Sequence, residues 1–305
     1  MGKERTMDEW LFALAIYPSF NALDRYTLFL EMVENYSQQT KTASLVDALK
    51  NNPKQMKKLS QKKKASFARF LGEINIQEEM EKYHEYGVSW TSIYDADYPL
   101  LLREIYAPPV ALFYQGDLGI LDKNICLAVV GARASTNYGL EAVAEIIPNV
   151  LKEAKQPIAI VSGLAKGIDT KAHEVTLKSK GHTIGVIGAG LDQFYPRNNK
   201  NLQERMAKEQ LLLSEYPLGA KPLKFRFPER NRIIAGLSRG ILVIEAKKRS
   251  GSLITAYNGL DENRDVFALP GSIFEKNSEG CHKLIQLGAV LTRNSADILD
   301  EWSLI

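Results

Sequence analysis

Cysteine is nearly missing: Cys126 and Cys281 stand alone in 305 residues, too few for a disulfide framework and without the paired short spacing of a zinc site. A reducing, cytoplasmic setting is expected. The four histidines, His84, His173, His182 and His282, are scattered without metal-ligand spacing, so no metal is expected and each reads as a surface or hydrogen-bonded residue. No apolar run is long enough for a membrane span. The first twenty residues place Asp8 and Glu9 before a short apolar stretch and show no small-residue cleavage site, so neither a signal peptide nor a membrane partner is expected. Fixed-period repeats and low-complexity tracts are lacking too. Charge of one sign is not in large excess: 39 Lys and Arg oppose 36 Asp and Glu, a net +3. That balance alone does not point to nucleic acid; its distribution is more informative.

What is present is ordinary soluble composition, 45% hydrophobic and 25% charged, with room for one larger and one smaller domain. Up to about residue 90 apolar positions recur at three and four: Leu11, Leu14 and Ala15; Leu23, Tyr26, Leu30 and Val33; Leu45, Val46 and Leu49. This spacing predicts a small helical domain over 1–90. Between Lys50 and Gly72 eight cations stand without an acid, namely Lys50, Lys54, Lys57, Lys58, Lys62, Lys63, Lys64 and Arg69. They suit either a solvated helix face or phosphate contact. Residues 91–124 carry Tyr98-Pro99, Pro108-Pro109 and Gly116-Asp117 and read as an irregular connector between domains.

From Ile125 to the end, over 125–305, six short apolar runs alternate with helical stretches: ICLAVVG, IAIVSG, TIGVIGAG, LLLSEYP, ILVIEA and DVFALPG. Continuous apolar strands separated by helices are what a parallel sheet buried on both faces requires. The expected fold class is α/β, a doubly wound and mostly parallel sheet. Ligands of such sheets bind beyond the carboxyl ends of the strands, and there the sequence is rich in Gly, Ser and cations. Gly131-Ala132-Arg133-Ala134-Ser135 follows the first run, Ser162-Gly163-Leu164-Ala165-Lys166-Gly167 the second and Gly188-Ala189-Gly190 the third. Lys247-Lys248-Arg249-Ser250-Gly251-Ser252 follows the fifth and Pro270-Gly271-Ser272 the sixth. Glycines let backbone N–H groups approach an anion at a helix amino terminus, and Arg or Lys supplies countercharge. The ligand should carry phosphates.

Familiar phosphate and enzyme motifs do not fit. Arg133 occupies the second-glycine position of a dinucleotide fingerprint, where pyrophosphate normally lies against bare backbone, and no P-loop occurs. Gly236-Leu237-Ser238-Arg239-Gly240 has the form of a nucleophile elbow, but a helical stretch precedes it and a strand follows, the reverse of what an elbow needs. Asp169 and Glu245 could act as acid or base. The alternative readings are an Asp favoured by a helix dipole and a Glu paired with a nearby Arg. Between Lys221 and Arg249 nine cations oppose Glu229 and Glu245, interleaved with Phe225 and Phe227. Cations with stackable rings suit a flexible single strand, and no recognition helix for a duplex is evident.

These residues resemble the DNA-processing protein A (DprA, or Smf) family of bacteria, over about residues 98–300. The resemblance rests on Gly131-x-Arg133-x-Ser135-x-x-Tyr138-Gly139, Ser162-Gly163-x-Ala165-x-Gly167-Ile168-Asp169, Gly188-x-Gly190-x-Asp192-x-x-Tyr195-Pro196 and Ser214-Glu215-x-Pro217-x-Gly219. It continues through Phe227-Pro228-x-Arg230-Asn231-Arg232, Ser250-Gly251-Ser252-Leu253-Ile254-Thr255-Ala256 and Val266-Phe267-Ala268-x-Pro270-Gly271. Seven segments in order are specific where one would be weak. The resemblance implies an extended Rossmann-like domain after a sterile-alpha-motif-like helical domain. It implies a non-enzymatic binder of single-stranded DNA that forms a homodimer and loads RecA recombinase in natural transformation, with no cofactor.

By motif matching, the resemblance implies that Arg133, Ser162, Gly163, Arg232 and Lys247 line a phosphate pocket, with Arg197, Lys224 and Arg226 on its rim. Ser135, Lys166 and Ser250 complete the expected DNA-binding set. Ala132 departs from the family's usual Ser or Thr and removes one hydroxyl contact. The winged-helix module of some members is not found in these residues, so duplex recognition through it is not expected. Near the carboxyl terminus, Leu284 and Leu287 form one stripe of a short helix while Ile285 and His282 face another side. His282, Ile285 and Leu291 are therefore the expected dimer contact. Two rival readings remain: a nucleotide-cleaving enzyme similar to nucleoside-monophosphate phosphoribohydrolases, and a protein adaptor with vestigial pockets.

Overall fold

The computed structural model describes residues 6–39 and 59–304, with side chains placed for 6–33 and 59–304. Leu45, Val46 and Leu49, expected to be helical, and Lys50, Lys54, Lys57 and Lys58 of the basic stretch lie outside the described residues. The chain opens with helices α1 (Met7–Ile16), α2 (Ala22–Gln39), α3 (Gln61–Glu73) and α4 (Ile76–Glu85). Thr6 and Glu9 close a capping box on α1, and every residue from Leu11 to Ile16 is buried. A helix apolar on all sides belongs inside a larger core, and this one packs there.

Strand β1 (Ser89–Ser92), the single-turn helix α5 (Leu100–Arg103), β2 (Ala111–Gly116) and the single turn α6 (Ile120–Lys123) come next. The alternating half follows: β3 (Ile125–Val130), α7 (Asn137–Glu153), β4 (Ile158–Ser162), α8 (Ile168–Lys178), β5 (His182–Ile187), α9 (Lys200–Glu209) and β6 (Leu211–Ser214). The chain closes with α10 (Arg226–Leu237), β7 (Gly240–Val243), α11 (Gly251–Asp261), β8 (Asp265–Ala268), α12 (Glu279–Gln286), β9 (Val290–Leu291) and α13 (Ser295–Glu301).

All nine strands form one sheet in the order β1-β2-β6-β5-β4-β3-β7-β8-β9. From β6 to β9 every pairing is parallel, whereas β1 with β2 and β2 with β6 are antiparallel. The six apolar runs are β3 to β8, buried along nearly their whole length as a two-faced sheet demands. Residues 91–124 differ from the expected irregular connector, because β1 and β2 extend the sheet by two strands. The run Val110-Ala111-Leu112-Phe113-Tyr114 supplies the strand, and the Pro and Gly signals only bound it.

One face of the sheet carries α7, α8 and α13, with Val143, Ile147, Ala172 and Ile298 against Leu127 and Ile160. The other carries α10, α11 and α12, and the amino-terminal helices join the same cluster: Leu14, Tyr26 and Phe29 belong with Leu213, Ile233 and Leu253. Polar contacts seal this join, Ala22 N–H donating to Glu229 Oε1 at 3.0 Å and Leu218 N–H to the Tyr83 hydroxyl at 3.0 Å. The chain winds from β3 outward to β6, then crosses back to β7 on the other side of β3. The strand order therefore reverses between β3 and β7, where sheets of this kind open a crevice.

Candidate nucleic-acid interface

A cleft of about 510 Å³ opens at this reversal. The loop after β3 gives Gly131 and Arg133, the loop after β4 gives Ala165 and leads to Asp169, and the turn after β7 gives Ser250 and Ser252. Two helix starts border it. Ser250 caps α11, its Oγ accepting from Leu253 N–H at 3.4 Å and lying 2.9 Å from Ser252 Oγ. Gly167, at φ +80°, begins α8 where a Cβ would meet the carbonyl oxygens of Ala132 and Arg133. First-turn N–H groups and the helix dipole make such starts suited to phosphate.

An exposed guanidinium and two rings form the upper wall. Arg133 sits 5.4 Å from the ring centroid of Phe227, and the Tyr195 ring lies 5.2 Å from the same ring, tilted by 34°. Lys224 stands beside them. A cation held over partly exposed rings offers charge to a phosphate and a flat face to a base.

Two buried ionisable residues, Arg230 and Asp169, form the floor. Arg230 is 4% exposed and its Nη1 donates to Gly163 O at 2.8 Å and to Val186 O. Its Nε has no partner within the protein. Burial lowers its pKa to about 10, so it stays cationic at neutral pH. Asp169, in the first turn of α8, accepts from Ala165 N–H at 3.4 Å. Burial pushes its carboxyl up to about 6, and the Arg230 charge only partly opposes this. Gly163 is required by the arginine: a Cβ there would lie 2.7 Å from the guanidinium nitrogens. Behind the floor, Thr183 Oγ1 donates to Ile160 O, so His173 Nδ1 donates to Thr183. Burial holds that imidazole down to about 3 and hence neutral.

Of the residues expected at DNA, Arg133, Lys224 and Ser250 line the cleft. Lys166, Arg197 and Lys247 are exposed on surrounding loops, with Ser135 half-buried; none of the four lines it. Ser162, Gly163, Arg232 and Arg226 stand elsewhere than expected. Ser162 is wholly buried and its hydroxyl donates to Val129 O at 2.6 Å, so it supports the wall from beneath, as Gly163 does through its carbonyl. Arg232 Nη2 donates to both carboxylate oxygens of Glu215, at 2.6 and 2.5 Å. Two residues along a helix is about 200° around it, so Arg232 leaves α10 on the side opposite Arg230. Arg226 also differs: it lies 4.8 Å from the Tyr216 ring, donates to Lys221 O and lines a separate groove of about 1150 Å³ beside the amino-terminal helices.

Arg230 was missed among the site residues, although helical spacing places Phe227, Arg230, Asn231 and Ile234 on one face, and all four line the cleft. Glu245 has no arginine partner among the described residues; it accepts from Thr136 N–H and Oγ1 and from Asn277, tying three loops together. At the other end of the sheet, His282 Nε2 donates to Gly271 O at 2.9 Å, Ile285 packs partly on the core, and Leu291 is exposed on the edge strand β9. Among the described residues no three His, Cys, Asp or Glu gather as a metal site, and no helix is long and apolar enough to cross a membrane.

Residues 89–303 match the family model described as DNA recombination-mediator protein A. The chain is 50% identical over 232 residues to DNA processing protein DprA of Streptococcus pneumoniae, covering 76% of this chain and 79% of that protein. It is 45% identical over 219 residues to DprA of Bacillus subtilis, covering 72% and 73%. The X-ray structure of the S. pneumoniae protein superposes with a TM-score of 0.80 at 40% identity, over 98% of this chain and 99% of that one. A structure of DNA processing protein A from Helicobacter pylori, described for its single-stranded DNA binding mode, superposes with a TM-score of 0.62 at 29% identity, over 70% and 96%.

Proposed function

This chain belongs to the DNA recombination-mediator protein A family, and on that premise we propose that it binds single-stranded DNA in the cleft between β3, β4 and β7. It then presents the strand to RecA recombinase during natural transformation, without catalytic turnover. The observation that carries the reading is Arg133 set over the Phe227 ring, with Tyr195 against that same ring, in one cleft with the buried Arg230 and the start of α11. A single strand offers both phosphates and open base faces, which a duplex keeps stacked. A concave cleft also presents no protruding helix or ribbon for a major groove. The α12 and β9 edge, with His282, Ile285 and Leu291, serves as the homodimer contact in the cytoplasm and sets two clefts on one particle.

The test is anisotropy of a labelled oligonucleotide and its duplex across a salt series. The single strand binds more tightly, and Arg133→Ala weakens all sequences alike while reducing the salt slope by about 0.7, one phosphate contact. The same mixtures should shorten the lag of RecA filament assembly and release no free base from nucleoside monophosphates. Equal affinity for both DNA forms, or wild-type binding in Arg133→Ala, overturns the assignment of the cleft.

A further inference from the structure

The most exposed large apolar side chains among the described residues are not in the cleft. They are Ile273 and Phe274, 80% and 89% exposed, at the tip of the loop between β8 and α12. The loop's base is pinned. The Tyr138 hydroxyl donates to Pro270 O at 2.7 Å, His282 to Gly271 O at 2.9 Å, and Asn277 Nδ2 to Ala134 O at 3.0 Å, while Ala246 N–H donates to Asn277 O at 2.6 Å. Within the tip, Phe274 N–H donates to Ser272 Oγ and Glu275 N–H to Ser272 O. An ordered loop that holds two adjacent apolar side chains in water marks a contact surface.

Its place says what the contact is. Strands β3, β7 and β8 are consecutive neighbours and parallel, so their carboxyl-end loops lie side by side, about 5 Å apart per strand. The loop after β3 carries Arg133, and Ala134 beside it receives the Asn277 bond. The loop after β7 carries Lys247, Lys248 and Arg249, all exposed and in no salt bridge among the described residues. The loop after β8 carries Phe274, with Lys276 beside it against Glu275. A cationic stripe thus runs from the cleft to a bare aromatic ring, and the exposed ring of Tyr138 stands at the loop's root. Backbone cations interleaved with open rings match a polyanion with stackable faces.

We infer that this loop is a second base-stacking station. A strand held by phosphate in the cleft crosses Lys247–Arg249 and lays a further base on Phe274, with Tyr138 flanking it. The inference rests on the single-strand reading above and extends its length.

Oligonucleotide length separates the two. Anisotropy on the full chain, at one salt concentration, compares a 6-mer that fills the cleft with a 15-mer that also reaches the loop, for wild type, Phe274→Ala and Phe274→Trp. Wild type gains affinity on lengthening beyond the statistical factor. Phe274→Ala loses about tenfold of that gain, the usual cost of one base–ring stack, and Phe274→Trp keeps it, with quenching by the 15-mer that wild-type fluorescence does not show. The side chain is almost wholly in solvent, so its truncation removes no core contact. An undiminished gain in Phe274→Ala with no quenching in Phe274→Trp overturns the inference while leaving the cleft standing. A change in association state on sedimentation of Phe274→Ala also overturns it, assigning the loop to a second copy of the chain. Failure of wild type to bind even the 6-mer overturns the single-strand reading itself.

Discussion

Arg230 and Asp169 show how one buried pair sets the chemistry of the cleft floor. The arginine fills the space that Gly163 leaves and donates to two carbonyls, while the carboxylate steadies the loop after β4. Asp169 has a pKa raised by burial from 3.8 to about 6, so its protonated form is favoured by the fold. A raised carboxylate contributes stability that is full below the unfolded value and lost as pH rises through the folded value. Relative to Asp169→Asn, wild type should lose stability between about pH 4 and pH 6.5, by on the order of 3 kcal/mol. Urea midpoints of both proteins at pH 4.5 and 7.5 check this; parallel midpoints would show that the carboxyl is ionised throughout. Phosphate beside the pair deepens the preference for the protonated acid, since like charges oppose ionisation.

Helix α10 divides Arg230 and Arg232 between two tasks. Arg230 faces the cleft, while Arg232 lies about 200° away and neutralises Glu215, which is 2% exposed. Arg232→Ala should therefore leave a buried carboxylate unpaired and cost about 3–5 kcal/mol in urea unfolding. Under folding conditions it should leave the salt slope of DNA binding unchanged. A reduced slope with full stability would return Arg232 to the DNA site. The motif Phe227-Pro228-x-Arg230-Asn231-Arg232 was legible as part of a cationic run with interleaved rings, but which arginine lines the cleft was not. Side-chain assignment needed the partner on each side of the helix, and Glu215 reaches it only through the fold. Strand β2 was hidden for a related reason, since turn residues at its ends outweighed its apolar run.

Across the whole molecule, the amino-terminal helices are built onto the sheet rather than tethered to it. Leu14, Tyr26 and Phe29 share a core with Leu213 and Ile233, and the buried Arg25 donates to Leu14 O and Tyr17 O while lying in the field of Glu215 and Glu229. That packing covers one face of the sheet and leaves the carboxyl-end loops open for ligand. It also leaves β9 as a two-residue edge with Leu291 in solvent, an unpaired strand edge of the kind the proposed dimer contact needs. Leu291→Asp should halve the mass of the proposed dimer on sedimentation, because a charge at an apolar contact must be desolvated to associate. An unchanged mass would move the dimer contact elsewhere.

The sequence by itself determined the buried parallel strands and the loops rich in glycine and cations, because apolar runs and strand-end glycines are local patterns with local causes. Tertiary structure decided which cations line the cleft, that Ser162 is spent on Val129 and Arg232 on Glu215, and that burial raises the Asp169 carboxyl to about 6. Those outcomes depend on burial and on partners distant in the chain, and neither has a signature in the order of residues.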